Sequence, residues 1–181
     1  MATWQKRTIK LEKNFPIPKT SRPGNNIFVA NRGEVCFEYP KEWIVKPSDK
    51  SICFYDAEPP ADQCMLEFSI LPLDFTVDWS KLPLEEMIRQ AVGAEAGSYD
   101  PASIRTLRRG ELKIVQLEHE FLEPVEKRTA ISRCALASRA DVMALITFNF
   151  WPEHRDKAET VWNDLLETLR LAEGQRFKTR N

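Results

Sequence analysis

The sequence predicts an α+β fold, a mostly antiparallel β-sheet with two helices packed on it in an α/β/α sandwich. Three observations carry this. Between residues 34 and 150 apolar and polar residues alternate in segment after segment, the period of a half-buried strand. The period lengthens to that of a helix twice, over 84–92 and again over 158–169. The strands after the first helix follow one another across short breaks, as in an antiparallel meander, so the amphipathic helices have only the sheet to bury against.

The first clear strand holds Val35, Phe37 and Tyr39 in alternation with Glu34, Cys36 and Glu38, and Pro40 ends it by removing a backbone donor. Trp43-Ile44-Val45, Ile52–Tyr55 and the alternating Leu66, Phe68 and Ile70 supply three more. Leu84, Met87, Ile88, Ala91 and Val92 then fall on one helical face. Asp78 or Ser80 suits the cap of that helix, Pro83 its first turn, and Gly93 or Gly97 its end. Strands resume at Ile104–Leu107, at Val115, Leu117, His119 and Phe121, at Thr129–Ala137 and at Val142–Phe150. Pro152 opens a last helix striped by Ala158, Val161, Trp162, Leu165 and Leu169, with Gly174 expected to end it.

The 181 residues fit one domain, expected over 27–173, with a basic, proline-containing arm at 1–26 and a basic tail at 174–181. The net charge of −1 hides an asymmetry. Lys6, Arg7, Lys10, Lys13, Lys19 and Arg22 against Glu12 give the arm +5, Arg176, Lys178 and Arg180 give the tail +3, and the body is left at −9. An acidic body argues against nucleic acid as partner, because phosphates would be repelled. No run approaches the roughly 18 apolar residues of a membrane span, and no apolar stretch follows the charged start, so neither membrane insertion nor a secretory signal is expected. Cys36, Cys53, Cys64 and Cys134 are far apart and lie in apolar strand-like runs. That spacing suits neither a zinc site nor a disulfide framework, and points to reduced thiols in a cytoplasmic protein.

The run Phe37-Glu38-Tyr39-Pro40-Lys41-Glu42-Trp43 is similar to the aromatic-x-tyrosine-proline-x-x-tryptophan turn that begins domains of the PsbP-like superfamily. The strand Ile146-Thr147-Phe148-Asn149-Phe150 and a closing helix that ends Leu165-Leu166-Glu167-Thr168-Leu169 also resemble that family, over roughly residues 28–172. The resemblance implies a binding or assembly module rather than an enzyme. It brings no catalytic constellation and no cofactor.

The residues themselves offer little chemistry. His119 is in phase with the apolar positions of its strand and reads as a core histidine, while His154 reads as a surface residue in the first turn of the last helix. No nucleophile elbow or phosphate-binding glycine loop is present, so no catalytic, metal or cofactor residue is assigned. Glu67, Glu118, Glu120, Lys127 and Arg133 are expected on the sheet face opposite the apolar positions, together with Met65, Leu71, Ile114 and Ile131. Such a face is either cross-linked by ion pairs under a helix or offered to a partner. Phe75, Val77 and Trp79 form a second aromatic patch in the loop before the first helix. The expectation is a non-catalytic module that binds a protein partner through Glu118, Glu120 and Arg133 of one exposed sheet face and the adjoining 73–80 loop. A second copy of the chain stays open as that partner. The alternative is a small-molecule or lipid-binding domain, or a minor enzyme, with a cleft between sheet and helix.

Overall fold

A computed structural model describes residues 20–74, 79, 81–93, 103–140 and 142–171. Ten strands occupy Asn25–Ala30 (β1), Val35–Pro40 (β2), Ile44–Pro47 (β3), Ile52–Tyr55 (β4), Cys64–Pro72 (β5), Arg105–Arg109 (β6), Leu112–Leu122 (β7), Thr129–Arg139 (β8), Val142–Phe150 (β9) and Arg170–Leu171 (β10). Among the described residues two α-helices occupy Leu84–Gly93 (α1) and Arg155–Thr168 (α2). All strand pairs are antiparallel, in a seven-stranded sheet of order β3-β4-β5-β9-β8-β7-β6 and a three-stranded sheet of order β1-β2-β10. The α+β class expected from the sequence holds.

The large sheet is covered on both faces. α1 lays Leu84, Ile88 and Val92 on Val115, Leu117, Cys134, Leu136 and Met143. The other face takes α2 and the small sheet, and the main core lies between them. Its centre is an aromatic junction. Phe28 of β1 and Phe37 of β2 meet Phe54 of β4 and Phe68 of β5, with ring centroids from 4.9 to 5.8 Å apart. Trp43, Phe148 and Trp162 carry the aromatic contact on to α2.

Two features differ from the sequence reading. Periodicity extends the last helix to Gly174, but α2 stops at Thr168, and Leu169 turns to an extended ψ of 125°. Arg109 donates to the carbonyls of Glu167 and Leu169, satisfying acceptors that every helix end leaves open. The released chain pairs as β10 with β2, through Arg170↔Cys36 and Leu171↔Val35. The second difference is β1, which lies just before the first clear alternation and whose residues are half-buried rather than alternating. It is held by its pairing with β2 and by Arg22, which bonds Asp164 and Glu167 of α2.

The aromatic junction has a measurable consequence. Phe54 is fully buried and touches the rings of Phe28, Phe37 and Tyr39. Phe54→Ala is expected to lower the free energy of unfolding by about 3–5 kcal/mol, read as a lower urea midpoint at unchanged m-value. A loss below about 1 kcal/mol would mean that the two sheets are held together by something else.

Candidate partner-binding surface

The register decides which of the charged strand residues share a face. Phe54, Leu66, Phe148, Arg133 and Glu118 form one row across β4, β5, β9, β8 and β7. Cys53, Glu67, Thr147, Cys134 and Leu117 form the adjacent row on the opposite face. The single charged face expected from the sequence is therefore divided. Glu118, Glu120, Arg133, Ile114 and Ile131 point toward α2, whereas Glu67, Met65 and Leu71 lie on the α1 face.

Arg133 is not at an open surface. It is 7% exposed, because α2 crosses this part of the sheet. Its Nε donates to Glu118 at 2.8 Å and its Nη2 to Glu159 of α2 at 2.5 Å. Arg155, the first residue of α2, donates to the second Glu118 oxygen at 2.8 Å. The Arg133 guanidinium also lies 5.4 Å from the Phe150 ring. Beside this cluster the Trp162 indole donates to Gln116 at 2.6 Å, another polar bond between helix and strand. Burial pushes the Glu118 carboxyl up, but the bonds and charges of Arg133 and Arg155 outweigh it and hold the group below the usual carboxylate range. For Glu159, too, burial is outweighed, by Arg133 and Asn163. Both carboxylates stay ionised with their oxygens engaged, an arrangement that locks α2 in place and offers no proton to a substrate.

Past α2 the same face opens. Glu120 and Leu122 follow Glu118 along β7, and Leu122 is 64% exposed. The turn into β8 presents Val125 at 81% exposure. Glu123 makes this turn rigid. Its carboxylate accepts the Val125 and Glu126 amides, its own amide donates to Arg128 O and its carbonyl accepts the Lys127 amide. Arg128 stacks on Trp151 at 4.2 Å and pairs with Glu153 at 2.7 Å, which ties the turn to the start of α2. Leu122, Val125 and Trp151 were not singled out by the sequence reading. The available signal was Val125 standing between Pro124 and Glu126 in a turn.

The second predicted patch is only partly visible. Phe75 and Val77 lie outside the described residues. Trp79 is half-buried, and its indole donates to Asp74 O at 2.6 Å, so it ties the loop to itself. His119 shares its face with Val115 and Leu117 as expected. It stands toward the hairpin end of the strand, however, and is half-buried rather than part of the core, with its ring 6.1 Å from Phe121. Among the described residues no helix is long and apolar enough to cross a membrane, and no group of three or more His, Cys, Asp or Glu side chains is placed to hold a metal ion.

The ion-pair cluster makes its own prediction. Arg133→Met should cost about 2 kcal/mol at neutral pH, because it leaves two carboxylates without their shared cation. Glu118 has its folded value below the roughly 4.3 of an unfolded chain, so its contribution is complete above that pH and fades as pH falls through the lower folded value. The gap between wild type and variant should therefore shrink between pH 7 and about pH 3, measured by urea unfolding. An equal gap at both ends would show that Arg133 acts through packing alone.

Comparison with known proteins places these features in a family. The chain is 36% identical over 171 residues to uncharacterized protein alr1449 of Nostoc sp., covering 93% of this chain and 87% of that one. Its fold is similar to cyanobacterial PsbP (CyanoP) of Synechocystis sp., with a TM-score of 0.61 at 9% identity, covering 86% of this chain and 96% of that one. It is also similar to the Saccharomyces cerevisiae Ran-binding protein Mog1p, with a TM-score of 0.53 at 10% identity, covering 82% and 96%. The fold expected from the Tyr39-Pro40…Trp43 turn is thus the one observed, and with residues 26–174 matching the Alr1449 family, the chain belongs to that family.

Proposed function

We propose that this chain is a non-catalytic binding or assembly module that engages a protein partner through the free end of the β7–β8 hairpin. One observation carries the reading: a hydrogen-bonded turn holds Val125 at 81% exposure, with Leu122 just before the turn at 64%, whereas the other exposed large apolar side chains among the described residues, Val45, Leu71 and Leu107, reach 38–41%. Single exposed aliphatic residues are ordinary. Here two stand at the end of one hairpin whose turn is fixed by side-chain hydrogen bonds, so little ordering entropy would be lost on binding. Glu120 and Glu126 flank the pair in sequence and supply polar neighbours of the kind found at an interface. The protein-binding role in the name of Mog1p, a protein of the same fold, supports the class of function and says nothing of the partner. The four buried free thiols suit a reducing, cytoplasmic setting.

The test is a paired capture from native lysate with the wild-type chain and the double variant Leu122→Lys, Val125→Lys. Both sites are exposed, so the variant should melt within about 2 °C of wild type. A protein recovered near one-to-one with wild type, and reduced at least about tenfold with the variant, is the expected result. Equal recovery by both, or recovery of the chain alone from either, would overturn the reading.

A further inference from the structure

At the far edge of the large sheet, where β10 leaves the core, a cavity of about 290 Å³ opens between the two sheets. Three arginines line it: Arg109 from the end of β6, Arg139 from the end of β8 and Arg170 from β10. Among the described residues no carboxylate lines it. Leu112, Leu169, Leu171 and Cys36, all buried, stand behind the arginines. Gly33 borders it with φ at 92°, a left-handed conformation that favours glycine and brings backbone to the rim.

Arg109 and Arg139 each bond backbone carbonyls of the chain leaving α2. Arg109 donates to Glu167 O and, at 2.7 Å, to Leu169 O. Arg139 donates to Leu171 O at 2.9 Å and pairs with Glu111 at 3.3 Å. A guanidinium carries five N–H donors, so these bonds orient the groups without exhausting them. Burial, and next the like charge of Arg170, pull the Arg109 guanidinium below its usual value, with Glu167 opposing them. The Cys36 thiol is pushed up by burial despite Arg170, so it is a neutral neighbour of the cavity rather than a nucleophile.

We propose that this cavity binds a small oxyanion, a carboxylate or a phosphate group. The group would accept from the arginines, whose planar forks match both kinds of oxyanion. The leucines and Cys36 behind them are at most 6% exposed, so they shape the cavity and offer no surface to an apolar stem. This site goes beyond the protein-binding reading and lies at the opposite ends of β7 and β8 from the Val125 turn.

The test is a titration of the full chain, followed by its backbone amide resonances, with acetate and inorganic phosphate as probes and ethanol as control. At least one of the two anions should shift the amides of Gly33, Leu112 and Leu171, and the one that does identifies the head group. Arg170→Gln should weaken that binding about tenfold, or about 1.4 kcal/mol. Arg139→Gln should do the same where it folds, and Arg170→Gln on the exposed β10 residue carries the test where it does not. Ethanol should leave these amides unmoved. The proposal is overturned if neither anion shifts them at about 10 mM, or if Arg170→Gln binds like wild type.

Discussion

The architecture depends on one contact, the four phenylalanines where the small sheet meets the large one. A three-stranded sheet with a two-residue third strand cannot bury enough surface to stand alone. Phe28 and Phe37 must reach across to Phe54 and Phe68, and the tilted and edge-on ring pairs found there are the arrangements aromatic quadrupoles favour. The rest follows from that docking. β2 must lie over β4 and β5, α2 must lie beside β2, and the chain leaving α2 must return along β2 as β10. The ending of α2 at Thr168 is thus a consequence of packing rather than of helix propensity.

Charge is arranged around the same layers. Glu38 is buried on β2 and accepts from the Arg22 amide at 3.2 Å and the Asn25 side chain at 3.3 Å, while its own amide donates to Thr168 of α2 at 2.9 Å. Arg133, with Glu118, Glu159 and Arg155, performs the same task between α2 and the large sheet. These groups lie close to apolar neighbours, where an unpaired charge would be costly, so each is paired across two elements. Such pairs add modest net stability but fix how α2 sits, because any rotation of the helix would separate them.

The sequence exposes the strands by their period, but a period of two does not say which faces are covered. β8 shows why. Residues Ala130–Ser138 are buried without a break, since helices cover both faces of this central strand. Ala, Ser, Cys and Arg alternate there with apolar residues and look like a solvent face when read alone. By its phase Arg133 falls opposite the apolar positions of its strand and is expected on an open face, and nothing local reveals Glu159, 26 positions away, that pairs with it. β10 is hidden because two residues have no period, and β1 because its residues are half-buried rather than alternating. The Tyr39-Pro40…Trp43 turn was the better guide, since a strand stop followed by a core-filling indole is a local solution to a local problem. The cavity was out of reach. Its three arginines come from three strands, and each reads by itself as an ordinary exposed cation.

Those arginines show how one set of residues meets two demands. The carbonyls at the end of α2 and in β10 need donors, and Arg109 and Arg139 supply them across the gap between the sheets. A backbone amide would meet that need without bringing net charge. A guanidinium brings a full positive charge and more donors than those carbonyls use. The fold thereby concentrates like charges at one corner of a body that is acidic as a whole. Like charges held together by the fold cost stability, and an anion seated among them would restore part of it. The corner is the place where the requirements of stability and the capacity to bind coincide, and residues with that double character are where a protein gives up some stability for a site.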